Sequence, residues 1–136
     1  MRLTACALAL AALLPSGCSR NDRIPVYPVR GQVLVDGKPA TEAFVHFHPV
    51  EGNPAPGWIV GQVDDDGNFA LSTYVSGDGA PEGEYLVTIT WKSRGGPLNE
   101  FTGPDRLQGR YSDPRTSNLR FRVEKKGLNA VPPYQL

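Results

Sequence analysis

The sequence has 136 residues, of which 40% are hydrophobic, and this length and composition predict one domain with a substantial core. The 14 basic and 14 acidic side chains cancel, so no excess charge points to a nucleic acid as the partner. The 15 glycines and 13 prolines are too many for a helical protein and favour short strands joined by turns.

The first 17 residues have the parts of an export signal. Arg2 supplies a positive charge, residues 3–14 form an unbroken run of apolar and small side chains, and residues 15–17 precede Cys18. The apolar run is shorter than the ~20 residues that a membrane-spanning helix needs. We therefore expect residues 1–17 to be a lipoprotein signal peptide and the chain to be exported.

Cys18 decides between plain secretion and lipid anchoring. Residues 14–18, Leu-Pro-Ser-Gly-Cys, resemble a lipobox, in which a lipid is attached to the cysteine. The departure is Pro15, because a typical lipobox has leucine at that position; an ordinary signal peptide cut near this point is the alternative. A secreted chain rarely keeps one unpaired thiol. We expect a lipid on Cys18 that anchors the protein in the membrane, on the periplasmic or outer-membrane face of the cell envelope.

The mature chain alternates apolar and polar side chains over most of its length. Residues 18–28 are polar, carry two prolines and predict a short extended tether. Asp-Gly pairs at residues 36–37 and 66–67 predict hairpin turns, because both central residues of such a turn accept a positive φ. The predicted strands are residues 29–35, 42–48, 58–63, 69–75, 84–92, 119–124 and 129–136, with 106–111 either a strand or an extended arm. About seven strands without a helical period predict an all-β fold, a seven-stranded antiparallel Greek-key β-sandwich.

Five segments occur in a characteristic order: residues 29–39 (VRGQVLVDGKP), 43–47 (AFVHF), 64–69 (DDDGNF), 77–85 (GDGAPEGEY) and 111–119 (YSDPRTSNL). Together they resemble carboxypeptidase regulatory-like domains, also called transthyretin-like. The resemblance covers residues 29–136 and implies a prealbumin-like or immunoglobulin-like sandwich that acts as an adhesion, spacing or contact module at the cell envelope. A related family on this fold, the 5-hydroxyisourate hydrolases, ends in Tyr-Arg-Gly-Ser, whereas this chain ends in Tyr-Gln-Leu.

His46 and His48 are the only histidines, and their spacing places both on one face of a strand. Two ligands do not make a closed or catalytic zinc site, so we predict no metal site and interpret the pair as surface histidines that are candidate ligand contacts. The acidic run 64–66 does not fit a calcium loop and is explained by a hairpin turn. We predict no cofactor.

Trp58 follows a loop rich in proline and glycine and is the strongest candidate for an exposed contact aromatic. No nucleophile motif accompanies the histidines, and we predict no catalytic residues. The predicted function is a non-enzymatic cell-envelope lipoprotein that displays its sandwich for structural support or partner binding, the partner being an envelope protein or a glycan. The alternatives are a carbohydrate- or peptide-binding module that uses loops 49–57 and 93–105, and a transthyretin-related hydrolase.

Overall fold

The structure, a computed structural model, describes residues 22–136; the predicted signal peptide and Cys18 lie outside this part of the chain. All regular secondary structure in residues 22–136 is β. No helix in the described part is long and apolar enough to cross a membrane. The described residues form eleven strands, in chain order β1 (Val26–Tyr27), β2 (Val29–Val35), β3 (Lys38–Pro39), β4 (Phe44–Pro49), β5 (Val60–Gln62), β6 (Asn68–Ala70), β7 (Ala80–Pro81), β8 (Gly83–Thr90), β9 (Arg120–Val123), β10 (Asn129–Ala130) and β11 (Tyr134–Gln135).

The most regular sheet has four antiparallel strands in the order β5-β4-β8-β9. Strand β8 is the longest, and its run of β-branched and aromatic residues suits a central position between two partners. It pairs with β4 over six positions, from Phe44 opposite Thr90 to Pro49 opposite Tyr85. This sheet positions the candidate site described below.

The second large sheet is built around β2, which has partners on both edges. Strands β3 and β6 are antiparallel to β2 along one edge. Strands β10 and β11 are parallel to it, with Asn129 opposite Val29 and Tyr134 opposite Val33. Strands β1 and β7 form a separate antiparallel pair, so the last part of the predicted tether is held against the domain.

The number and direction of the strands differ from the prediction. From residue 22 onwards the chain forms eleven short strands in three sheets, where the sequence predicted about seven longer ones. The predicted edge strand 129–136 is divided into β10 and β11 because Pro132 and Pro133 lie between them and lack N–H donors. The expectation of a purely antiparallel arrangement is wrong at this edge, where both pairings are parallel. Residues 106–111 form turns and no strand.

One hydrophobic core lies between the two large sheets. The predicted alternation of β2 is confirmed, because Val29 and Val33 are buried and Arg30 is exposed. Gly31 lies between the two valines, and the ring of Phe69 fills the space beside it: a Cβ at Gly31 would be 2.6 Å from Phe69 Cζ. The core side chains are Val29, Val33, Ala40, Ala43, Val45, Phe47, Ile59, Val63, Phe69, Leu71, Ala80, Tyr85, Val87, Ile89, Leu107, Val123 and Val131.

Both Asp-Gly hairpin turns are confirmed, with different backbones. Asp36 and Gly37 both have positive φ, at 51° and 77°, as a two-residue hairpin loop requires. In the second turn only Gly67 has a positive φ, of 84°. Asp64 stabilises that turn, because its Oδ1 accepts the backbone N–H groups of Asp66 and Asn68, each at 2.9 Å. The acidic run therefore has a structural role in the hairpin.

The segment before β8 is organised by one carboxylate. Asp78 accepts three backbone N–H groups of residues 73–75 at 2.7–3.0 Å. Partial burial raises the pKa of Asp78, but these donors outweigh it and hold the pKa below its ordinary value. Gly79 follows with φ of 101°, and a Cβ there would lie 1.8 Å from the carbonyl oxygen of Tyr27. Only glycine allows the β1 backbone to approach this closely.

Candidate ligand-contact face

The candidate site is the outward face of the four-stranded sheet. Along β4, Val45 and Phe47 are buried, so the alternate side chains of Phe44, His46 and His48 point away from the core. Opposite them on β8, residues 86, 88 and 90 continue the same face. The sequence prediction that these three β4 side chains share a face is confirmed.

The three predicted contact residues lie together on this face. The rings of His46 and His48 are stacked, with centroids 6.1 Å apart and planes 25° apart. The indole of Trp58 meets the His46 ring edge-on, with centroids 5.7 Å apart and planes 75° apart. Trp58 is 73% exposed, although the next residue, Ile59, is in the core. The buried neighbour holds the backbone in place and the tryptophan projects into solvent.

Both imidazoles are partly withdrawn from water. Burial, followed by the repulsion of His48, lowers the pKa of His46 below its ordinary value. Burial also lowers the pKa of His48. His48 Nε2 lies 2.7 Å from the Oγ1 of Thr88, a side chain that is only 2% exposed. Burial therefore favours the neutral form of both rings. Because Thr88 engages His48 Nε2, His46 is the ring of the pair that can offer both a donor and an acceptor nitrogen to a ligand.

The geometry of the histidine pair does not suit a shared metal ion. The lone pair of an imidazole nitrogen lies in the ring plane, and two nearly parallel planes do not direct their lone pairs at one point. His48 Nε2 is also engaged by Thr88. Within residues 22–136 no three histidine, cysteine or acidic side chains are grouped for a metal.

The loop over residues 93–105 contributes side chains that the sequence analysis did not single out. Phe101 packs edge-on against Phe44, with ring centroids 5.1 Å apart. The guanidinium of Arg94 lies 4.2 Å from the Phe101 ring centroid and donates to both carboxylate oxygens of Glu42. These hydrogen bonds hold the pKa of Glu42 below its ordinary value. The loop is irregular, so no periodicity in the sequence signals these contacts.

The other predicted contact loop, residues 49–57, lies near the start of β8. Asn53 Nδ2 donates to the backbone oxygen of Glu84 at 2.9 Å, and Asn53 Oδ1 accepts the N–H of Ala55 at 3.0 Å. This asparagine therefore fixes the loop that leads to Trp58. The predicted lipidation site, Cys18, lies outside the described residues.

Comparison with known proteins shows no family for this chain. No protein-family model matches the sequence, and no curated protein matches it. The structure is similar to part of a 9R-lipoxygenase from Cyanothece PCC8801, with a TM-score of 0.44 and 13% sequence identity. The match covers 82% of this chain and 16% of the lipoxygenase chain. A similarity of this size carries no argument about function.

Proposed function

We propose that the protein is an exported cell-envelope lipoprotein, anchored in the membrane through Cys18, that displays its β-domain to bind a partner without catalysis. The first 18 residues support export and anchoring, since they combine a charged start, an apolar run and a lipobox-like cysteine. The distance between the anchor and the domain is short, because β1 (Val26–Tyr27) already pairs with β7 of the domain.

The observation that carries the binding role is the exposure of Trp58. A tryptophan that is 73% exposed and held edge-on against His46 keeps a large apolar surface in water. Protein interfaces are enriched in such aromatic residues, and an exposed apolar surface beside polar groups is typical of a contact site. The pairing with His46 restricts the indole before a partner arrives, which lowers the entropic cost of binding.

The absence of catalysis is part of the same proposal, and the surroundings of the histidines support it. A hydroxyl beside an imidazole belongs to Thr88, whose Oγ1 lies 2.7 Å from His48 Nε2. A hydroxyl beside a base is the usual arrangement of a nucleophile. Thr88 is only 2% exposed, however, so a substrate has no approach to its oxygen. We expect no turnover of ureide and ester substrates; a rate that His48→Ala abolishes would overturn this part.

For the fold we propose a seven-stranded Greek-key sandwich of the carboxypeptidase regulatory-like kind. The seven main strands would be β2, β4, β5, β6, β8, β9 and the interrupted pair β10–β11, with three strands in one layer and four in the other. The sheet orders support this count, because β1, β3 and β7 are two-residue strands at the margins. Unlike the arrangement expected from the sequence, this sandwich has a parallel C-terminal strand.

Mass spectrometry of the mature N terminus tests the anchor. We expect a chain that begins at Cys18 and carries acyl chains, found in the membrane fraction, and a Cys18→Ala variant that loses the adduct and leaves that fraction. An unmodified N terminus at another residue would overturn the lipoprotein proposal. Circular dichroism of the Cys18→Ala protein controls for folding of the domain.

A further inference from the structure

We propose that the partner is an uncharged oligosaccharide that lies along the outward side of β5, with one end at Trp58 and the other in a groove beyond Gln62. This inference rests on the proposed binding function and adds the ligand class and the site. The groove has a volume of about 690 Å³, within the range of small-molecule sites. It is distinct from the loops 49–57 and 93–105 that the sequence suggested.

The groove lies where the hairpin of β5 and β6 joins the two large sheets. Phe44, Val60 and Gln62 line it from the four-stranded sheet. Arg30 and Asn68 line it from the sheet built around β2. The groove therefore places an aromatic ring from one sheet near polar side chains from both, which neither sheet presents alone.

Three polar side chains of the groove are free to bind. Within residues 22–136 the side chains of Arg30, Gln62 and Asn68 form no hydrogen bond or ion pair, and all three are exposed. Amide side chains both donate and accept, which matches the hydroxyl groups of a sugar. Arg30 and Asp64 contribute one charge of each sign, so the groove favours a neutral ligand over an anion or a cation.

Aromatic side chains continue the site along the sheet. Val60 lies opposite His46, and Trp58 precedes it on the same outward face. Gln62 and Trp58 are four positions apart along extended chain, a span of about 13 Å at ~3.3 Å per residue. An aromatic ring suits the C–H face of a sugar, and this spacing suits a chain of several sugar units with polar contacts at one end.

The edge of β5 argues against an extended peptide as the occupant. Peptides commonly bind sheets by adding a strand to a free edge. The edge of β5 that faces away from β4 is taken by the chain after β6, since Val60 and Ser72 exchange backbone hydrogen bonds of 3.2 and 2.9 Å. At Gly61 a Cβ would already lie 2.8 Å from the carbonyl oxygen of Ala70. The remaining surface consists of side chains, which favours recognition of a saccharide.

Calorimetry with the full chain, purified in detergent, tests the proposal. The probes are cellotetraose, maltotetraose and tetra-N-acetylchitotetraose, with an uncharged acetylated and amidated Gly/Ser tetrapeptide for comparison. We expect at least one tetraose to bind at millimolar concentration or below and the tetrapeptide not to bind. Trp58→Ala and Gln62→Ala should each weaken binding about tenfold. Leu98→Ala, a matched control at a side chain that is 79% exposed in loop 93–105, should leave affinity unchanged.

Nuclear magnetic resonance of the ¹⁵N-labelled chain locates the contact independently of affinity. The bound tetraose should shift the indole N–H of Trp58 and the side-chain amides of Gln62 and Asn68. Binding of none of the tetraoses, preference for the tetrapeptide, or unchanged affinity in both Trp58→Ala and Gln62→Ala would overturn the glycan site. The lipid adduct on Cys18 is measured separately, so failure here is distinguishable from failure of the anchor.

Discussion

The two faces of β4 share one backbone but differ in how tightly their side chains are packed. On the inward face Phe47 is completely buried and packs against Tyr85 and Phe121, with ring centroids 5.6 and 5.9 Å away. On the outward face His46 and His48 are half-buried, because no second layer of the described chain packs over them. Alternate residues of one strand therefore serve stability and function separately. We expect substitutions at two residues of the same face to have similar effects, and substitutions at adjacent residues to have different ones.

The largest effect is expected when a core side chain is removed from the inward face of β4. Phe47→Ala removes a buried aromatic ring from the centre of the core and should lower the free energy of unfolding by about 3–5 kcal/mol. Urea denaturation followed by circular dichroism measures the change. His46→Ala, one residue away on the other face, is the matched control and should lose much less. Equal losses in the two variants would contradict the division between the faces.

Adding a side-chain atom on β2, in the opposite sheet, tests how tightly the same core is packed. In Gly31→Ala the new Cβ would lie 2.6 Å from Phe69 Cζ and 3.0 Å from Val131 Cβ. The crowding should lower the free energy of unfolding by about 1–3 kcal/mol. Gly57→Ala is the control, since a Cβ at Gly57 meets no atom within 4 Å. Thermal melts of both variants provide the measurement, and an unshifted melting temperature in Gly31→Ala would show that Phe69 moves aside freely.

Two buried tyrosine hydroxyls differ in whether they have a hydrogen-bond partner. Burial raises the pKa of both Tyr85 and Tyr134 to about 12. Tyr85 Oη donates to the carbonyl oxygen of Pro81 at 2.7 Å, whereas the buried Tyr134 Oη has no hydrogen-bond partner within residues 22–136. Tyr85→Phe should lower the free energy of unfolding by about 1 kcal/mol, and Tyr134→Phe should leave it unchanged or raise it. Denaturation curves that shift alike would refute the difference.

The outward face should make stability depend on pH near neutrality. Unfolded histidine titrates near 6.5, while burial, joined at His46 by the repulsion of His48, lowers the folded pKa of both residues. As the pH decreases below about 6.5, the unfolded chain binds more protons than the folded protein. The free energy of unfolding therefore falls with decreasing pH until the pH passes the lowered pKa values of the folded state. Urea titrations at about pH 7.5 and about pH 5.5 measure the difference. The double variant His46→Gln/His48→Gln should show a smaller difference, and an identical one would exclude these histidines as its source.

The smallest effect on global stability is expected at the loop over the outward face. Arg94 bonds Glu42 and covers Phe101, so Arg94→Ala should speed backbone hydrogen exchange in residues 93–105 while leaving the denaturation midpoint nearly unchanged. Arg115→Ala is the control, because its ion pair with Asp113 joins residues two positions apart. Unchanged exchange in the Arg94→Ala loop would show that other contacts hold it.

Local chemistry made much of the fold predictable. Alternation over residues 29–35 and 84–92 identified β2 and β8 and the inward sides of both, because a strand exposes successive side chains to opposite faces. The Asp-Gly pairs located two turns, since few residue pairs accept those dihedral angles. The placement of His46 and His48 on one face followed from the same alternation. Trp58, which the preceding proline- and glycine-rich loop led us to expect at the surface, is 73% exposed.

Local patterns were sufficient to locate the main strands, the turns and the side of each strand that enters the core, because these features depend on neighbours within a few residues. The folded chain was needed to show that the C-terminal strands run parallel to β2 and that Phe101, held by Arg94, packs on Phe44 of β4. The same is true of the groove that the β5–β6 hairpin forms with Arg30. These contacts join residues far apart in the chain, and the free energy that selects them comes from packing between sheets, which no local pattern encodes.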